Sequence, residues 1–232
     1  LETALRQMKE QQYLNVGDAG TAYRFLTAVL ATQKGRWTLD GSARMRERPV
    51  GPLVDALRSL GAAINYLGTE GYPPLEIAGG GLRGGKLQLI SDRSSQYATA
   101  MLLIGPSLPE GLELELSGEV VSAPYIHLTA QLMRRMGFSV KVDRTHWRVQ
   151  PRPEPLEVPQ TLAVEPDWSA ASYWYLMTLL ARKAEVYLPG FREHSLQGDA
   201  MVGQYFEPLG VVSHSIGAGF CLRQATPFPS PR

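Results

Sequence analysis

The chain has 232 residues, of which 44% are hydrophobic and 19% charged, so it can build a packed core and is not a disordered segment. Its 23 Lys and Arg nearly cancel its 22 Asp and Glu, which excludes an overall basic field for nucleic acid. One cysteine, Cys221, excludes an internal disulfide framework and a cysteine-rich zinc site, and no apolar run reaches the roughly 18 residues needed to cross a bilayer. A soluble, cytoplasmic protein is the expectation. The opening LETALRQMKE lacks an initiator Met and points to a piece of a longer polypeptide.

In chain order, GTAYRFLTAVLA (20–31) reads as a first helix, apolar nearly all round. RWTLDG follows as a strand, then a basic loop, then the amphipathic helix PVGPLVDALRSLG, with Leu53, Val54, Leu57 and Leu60 on one stripe. AAINYLG and PPLEIAG read as hairpin-like strands. The glycines at 79–81 and at 84 and 85 are turns, without the strand–loop–helix setting of a nucleotide site. The plan then returns: SSQYATAMLLIG as helix, LELELSG as an alternating strand, APYIHLTAQLMRRMGFSV as helix and strand. PRPEPLEVP (151–159) holds four prolines and reads as a linker or crossover, with a boundary near Val164. A third round follows as SAASYWYLMTLLA, AEVYLPG and DAMVGQYFEPLGVV.

Two glycines mark each round. Gly41, Gly118 and Gly190 close the strand, 77 and 72 residues apart; Gly61, Gly137 and Gly210 close the second helix, 76 and 73 apart. Two markers in phase three times define a repeat of about 75 residues, too long for a simple solenoid unit and suited to a small αβ subdomain. The first helix of each round, with Phe25, Leu26, Val29 and Leu30, then Met101 to Ile104, then Leu176, Met177, Leu179 and Leu180, is expected to be buried.

Each of those helices begins with small polar residues: Asp18 to Thr21, Ser94 to Gln96, Asp167 to Ser169. Simple N-capping explains each one alone. The alternative is that exposed N–H groups and hydroxyls bind an anion, with Gly20 allowing close approach to the backbone. Arg44-Met45-Arg46-Glu47-Arg48 puts three arginines in five residues at a strand end. Such a run is usually a solvated loop, but it is also a fork suited to phosphate or carboxylate. His127, His194 and His214 have no metal-ligand spacing, Cys221 reads as a buried strand residue, and Trp168, Tyr173 and Trp174 read as packing. Glu165 and Asp167 could serve as acids or bases, though Asp167 is more simply a cap.

DAGTAYR, GSARMRERPVGPLVDAL, SSQYATAML, VSAPYIHLT, VEPDWSAASYW and LQGDA, in this order, resemble the 5-enolpyruvylshikimate-3-phosphate synthases along almost the whole chain. The resemblance implies an α/β (α+β) fold of βαβαββ units, three per domain about an approximate three-fold axis, the inside-out barrel of the enolpyruvyl transferases. Residues 1–163 would be two of three repeats of one domain, and 164–232 the first repeat of a second. It implies transfer of the enolpyruvyl group of phosphoenolpyruvate to the 5-hydroxyl of shikimate 3-phosphate with release of phosphate, on the route to chorismate and the aromatic amino acids. By the same resemblance Thr21, Ser94, Ser95, Gln96, Ser122 and Tyr125 would hold shikimate 3-phosphate. Gly20, Arg44 and Gln96 would hold phosphoenolpyruvate, with Gln96 and Arg44 carrying catalysis and Arg24 and Arg48 as further site residues.

No cofactor and no metal are implied. The expected partners are anionic small molecules, neither nucleic acid nor membrane; the full-length enzyme would be a monomer and a piece of it prone to self-associate. Asp18 stands where the family commonly has Asn, Phe25 where a Pro is common, and Ala123 where a basic residue is frequent. The family's Lys-Ser pair, its acid/base Asp and its later Lys, Arg and His have no counterpart in the chain, so this polypeptide alone is expected to be inactive. Two rivals remain. The UDP-N-acetylglucosamine enolpyruvyltransferases need a cysteine near Ala43, where this chain has none. A non-catalytic binding protein on the same repeat would not need so full a set of ligand residues.

Overall fold

The computed structural model describes residues 12–90, 95–118, 122–155, 159 and 161–225. The chain divides into two compact units, 1–159 and 160–232. The first contains β1 (Tyr13–Asn15), α1 (Gly20–Thr32), β2 (Gly35–Asp40), α2 (Ala43–Arg46), α3 (Gly51–Ser59), β3 (Ala63–Tyr66) and β4 (Leu75–Gly79). It continues with β5 (Gly85–Ile90), α4 (Ser95–Ile104), β6 (Leu112–Ser117), α5 (Ala123–Arg135), β7 (Val140–Asp143) and β8 (His146–Val149). The second unit holds α6 (Trp168–Leu180), β9 (Glu185–Pro189), α7 (Val202–Phe206), β10 (Val211–Ile216) and β11 (Gly219–Gln224).

The repeat is visible in the strand order. The first sheet runs β1-β2-β4-β3 and the second β5-β6-β8-β7. In each, the outer pair is parallel and the other pairings antiparallel. This is βαβαββ twice over. The third sheet, β10-β11-β9, repeats the antiparallel part, among the described residues without a leading strand. The helix-closing glycines explain themselves in the same way: Gly61 has φ +101°, a left-handed conformation that ends α3 and that a side chain would strain, and Gly137 and Gly210 repeat it. Arg58 and Arg134 match too. Each sits in the last turn of its helix and donates through Nε to a strand carbonyl, Ile64 O at 3.0 Å and Val140 O at 2.7 Å.

One hydrophobic core runs through both repeats of the first unit, from Leu14, Tyr23 and Leu26 through Leu53, Leu57 and Ile77 to Met101, Leu114 and Val149. The helices α1 and α4 are largely buried, as their all-round apolar sequences predict, although Leu103 is exposed. The helix α6 departs from that expectation. Its Trp168, Ala171, Tyr175 and Leu179 pack against Leu188, Phe220 and Leu222, whereas Tyr173, Trp174, Leu176, Met177 and Leu180 are exposed, Tyr173 by 67%. A single three-stranded sheet covers one side of a helix, and a helix apolar on every side then shows the other side to solvent. Of the expected packing cluster, only Trp168 packs, edge-on to Phe191 and Phe220. No helix among the described residues is long and apolar enough to cross a membrane.

Candidate anion site at the start of the first helix

Gly20 opens α1. The residue before it, Ala19, has no side chain that can cap, and the first turn carries no acidic residue. Among the described residues the leading N–H groups of this 13-residue helix therefore lack a side-chain acceptor, with the positive end of the helix dipole behind them. Asp18, expected as a possible cap, is used elsewhere: it accepts the Ser42 hydroxyl, while Ser42 Oγ in turn accepts the Met45 N–H at 3.2 Å and caps α2. The third helix start is different. Asp167 accepts the N–H groups of Ser169 and Ala170 at 2.8 and 3.3 Å, so a carboxylate already occupies that position.

Above Gly20 lies the guanidinium of Arg48. A Cβ placed on Gly20 would stand 2.2 Å from Arg48 Nη1 and 2.5 Å from Cζ. The absence of a side chain is what admits the cation to the helix end. Gly20→Ala should leave the urea midpoint unmoved, within about 1 kcal/mol, because Ala suits a helix and the far end of an arginine can swing aside. Affinity for phosphate should fall about tenfold, as expected when one charge-assisted hydrogen bond is displaced. An unaltered affinity would detach Arg48 from the site.

The second repeat enters through α4. Gln96 Nε2 donates to Thr21 Oγ1 at 3.0 Å, and Gln96 Oε1 accepts from Arg24 Nη1 at 2.5 Å. Arg24 lies one turn into α1 and is 7% exposed. Its guanidinium stands 5.3 Å from the centre of the Tyr97 ring, and the Tyr97 hydroxyl donates to Pro49 O at 2.7 Å, next to Arg48. Gly20, Thr21, Arg24, Arg48 and Gln96 are thus brought together by direct contact, although up to 76 residues separate them in sequence.

The arginine-rich loop divides its labour. Arg46 forks onto Asp40, with Nε to Oδ1 at 2.9 Å and Nη2 to Oδ2 at 2.5 Å. Asp40, nearly fully buried, also accepts the Tyr13 hydroxyl at 3.0 Å and the Gly41 N–H at 2.7 Å. The Arg46 hydrogen bonds hold the Asp40 carboxyl below the usual carboxylate range. Arg46 therefore fastens the loop to the sheet. The Arg44 side chain is exposed and has no ion pair or hydrogen bond among the described residues, so it is open to a ligand. It follows Ser42 by two positions, and Ser42 is tied to Asp18 in the approach to α1.

Ser95 is the first residue of α4, beside Gln96. Ser94 lies outside the described residues. Ser122 precedes α5 with φ 62° and ψ 34°, a left-handed conformation uncommon for serine, and its hydroxyl does not cap the helix. Tyr125 lies one turn further, half exposed, and its N–H donates to Ser122 O at 3.1 Å. The weaker candidates have structural surroundings. Glu165 accepts the Ser195 hydroxyl at 2.6 Å, His127 stacks at a tilt on Trp147 at 4.8 Å, and Cys221 is buried in β11, where burial pushes its thiol pKa up. No group of three His, Cys, Asp or Glu among the described residues could hold a metal ion. Sequence reasoning missed Tyr97, Asp40 and Ser42. A signal existed for Tyr97 alone, which stands in the second repeat where Tyr23 stands in the first.

A βαβαββ unit made twice has the architecture of the enolpyruvyl transferases. Residues 2–218 match the family model for EPSP synthase (3-phosphoshikimate 1-carboxyvinyltransferase), and the chain belongs to that family. It is 45% identical over 214 residues to a 3-phosphoshikimate 1-carboxyvinyltransferase of Bacteroides fragilis, covering 92% of this chain and 52% of the relative. It is 41% identical over 201 residues to that of Shewanella halifaxensis, covering 87% and 47%. The chain spans about half the length of the curated relatives it matches. Among solved structures, an EPSP synthase from Acinetobacter baumannii shares the fold with a TM-score of 0.71 at 23% identity, covering 91% of this chain and 47% of that one. The enolpyruvyl transferase NikO from Streptomyces tendae shares it with a TM-score of 0.59 at 17% identity, covering 87% and 46%.

Proposed function

We propose that the protein to which this chain belongs transfers the enolpyruvyl group of phosphoenolpyruvate to the 5-hydroxyl of shikimate 3-phosphate, releasing phosphate. The observation that carries the reading is the start of α1: N–H groups without a side-chain cap, Arg48 lying over Gly20, and Gln96 reaching in from the second repeat. Both substrates are anions, and this site offers donors and cations. In the reaction the 5-hydroxyl oxygen bonds to C2 of phosphoenolpyruvate while C3 takes a proton. Loss of phosphate from C2 and of a proton from C3 then restores the double bond.

The part of this chain is to bind and orient. The α1 N-terminus, Arg48 and Arg44 hold phosphoenolpyruvate against Gly20. Ser94, Ser95, Ser122 and Tyr125, with Thr21, hold shikimate 3-phosphate, and Gln96 lies between the two. Holding both in register supplies much of the rate of a two-substrate reaction. Residues 1–163 serve as two repeats of one domain and 164–232 as the first repeat of a second. The full-length enzyme works as a cytoplasmic monomer. The chain by itself lacks turnover and self-associates through the bare face of α6.

Isothermal titration calorimetry with shikimate 3-phosphate, with and without phosphoenolpyruvate, tests this. Heat of binding that grows when the second ligand is present is the expected result. No heat at millimolar ligand from the folded full-length protein would overturn the reading.

A further inference from the structure

We infer that Arg24 is a positioning residue that fixes the direction of a hydrogen-bond relay, Arg24 to Gln96 to Thr21, so that the Thr21 O–H is left free to donate to the ligand at the start of α1. The inference rests on the site proposed above and assigns to Arg24 a task without substrate contact.

The direction follows from what each group can do. A guanidinium has donors and no acceptor, so the end of the Gln96 amide facing it must be Oε1. An amide whose oxygen is held cannot flip, and Nε2 is then the end that faces Thr21, at 3.0 Å. Thr21 Oγ1 accepts from Nε2, which leaves its own O–H to point onward. Thr21 is exposed in the first turn of α1, one residue after Gly20, so that O–H is available to a bound ligand. A chain of hydrogen bonds aligned in one sense is polarised along its length, so the outermost O–H is a stronger donor than an isolated threonine.

The surroundings of Arg24 fit this task. It is buried, and no carboxylate pairs with it among the described residues. Its Nε is buried without a partner. A guanidinium kept dry for packing alone would be an expensive choice, since burial of an unpaired charge is costly. The Tyr97 ring beneath it, 5.3 Å away, offers partial compensation and holds its plane. Its position is thus set from below by Tyr97, and its Nη1 is aimed at one oxygen. The relay thus turns a free O–H toward an anionic oxygen.

The test uses the full-length protein labelled with ¹⁵N-glutamine, with the Gln96 side-chain signal assigned by its loss in Gln96→Met. In the parent protein the two Gln96 amide protons should be resolved and exchange slowly. In Arg24→Met they should move to the values of an unconstrained glutamine, and Arg24→Lys, which keeps a donor and a charge, should restore most of the shift. In kinetics with both substrates, Arg24→Met and Thr21→Val should each lower kcat/KM roughly ten- to hundredfold, and the double variant should be little worse than either. Additive losses, or a Gln96 signal unmoved in Arg24→Met, would overturn the relay. If Arg24→Met fails to fold, the same signal in Arg24→Lys decides: a retained pair supports the relay and a collapsed pair overturns it. The amide signal does not depend on turnover, so a protein that binds neither substrate yet shows the locked pair would refute the proposed function and leave the relay standing.

Discussion

On the function proposed above, Arg44→Ala in the full-length protein is expected to lower kcat/KM for phosphoenolpyruvate by about 2–4 kcal/mol of transition-state stabilisation while leaving the urea midpoint unmoved. The separation of the two effects is the point. Arg44 is exposed at the start of α2 and its side chain holds no other described residue in place, so its removal leaves no described buried group without a partner. A cation that contacts the reacting anion in a partly dry site is, by contrast, among the most sensitive positions for rate. Arg46→Ala, two residues on, should show the reverse. Asp40 loses the fork that stabilises its buried charge, the loop loses its fastening to the sheet, and the midpoint falls while ligand contacts remain. Steady-state kinetics paired with urea unfolding of both variants reads this directly. Equal kinetics for Arg44→Ala and the parent protein would take Arg44 out of the site.

The largest expected effect on stability comes from Leu57→Ala in α3. Leu57 is fully buried in the core shared by the first two repeats. Truncation of a buried leucine removes its transfer free energy and leaves a cavity, about 2–5 kcal/mol together. Because that core is continuous across both repeats, the loss should appear in one cooperative transition covering the whole first unit, not in a fraying of one repeat. Leu222, fully buried in the second core, supplies the comparison: Leu222→Ala should lower the transition of the second unit. Native-state hydrogen exchange resolves the two units separately. Uniform deprotection of the entire chain by Leu57→Ala would show that the two cores unfold as one.

Much of the architecture was legible before any coordinates. Paired glycines in phase at 41 and 61, 118 and 137, 190 and 210 gave the repeat; those at 61, 137 and 210 recur because a helix stop in the left-handed region strongly favours glycine. The leading strand of the first repeat left no such mark: Tyr13–Asn15 is three residues long, too short to show alternation, and its existence depends on pairing with β2. The exposed face of α6 is invisible in its sequence for a related reason. An all-round apolar helix states how much cover it needs and not whether the described residues supply it. At the site, residue types and spacing left capping and a solvated loop open beside an anion site, and only the family resemblance singled out Gly20, Arg44 and Gln96. They could not say which of three neighbouring arginines would find a buried carboxylate, since Asp40 is presented to Arg46 only by the turn after β2. Nor could they show that Asp18 faces Ser42 and leaves α1 without a cap.

The uncapped start of α1 and its two arginines without carboxylate partners carry a further consequence for handling the protein. With the site empty, the fold holds Arg24, Arg48 and the positive end of a helix dipole near one another; Gln96 and the Tyr97 ring compensate Arg24 in part, and among the described residues no carboxylate pairs with either arginine. An anion that binds there relieves their repulsion, and by linkage any such anion favours the folded state in proportion to the logarithm of its concentration. Phosphate or sulfate buffers should therefore act on this protein as weak ligands. Affinities measured in them would understate the true ones, and melting temperatures would overstate the stability of the empty protein.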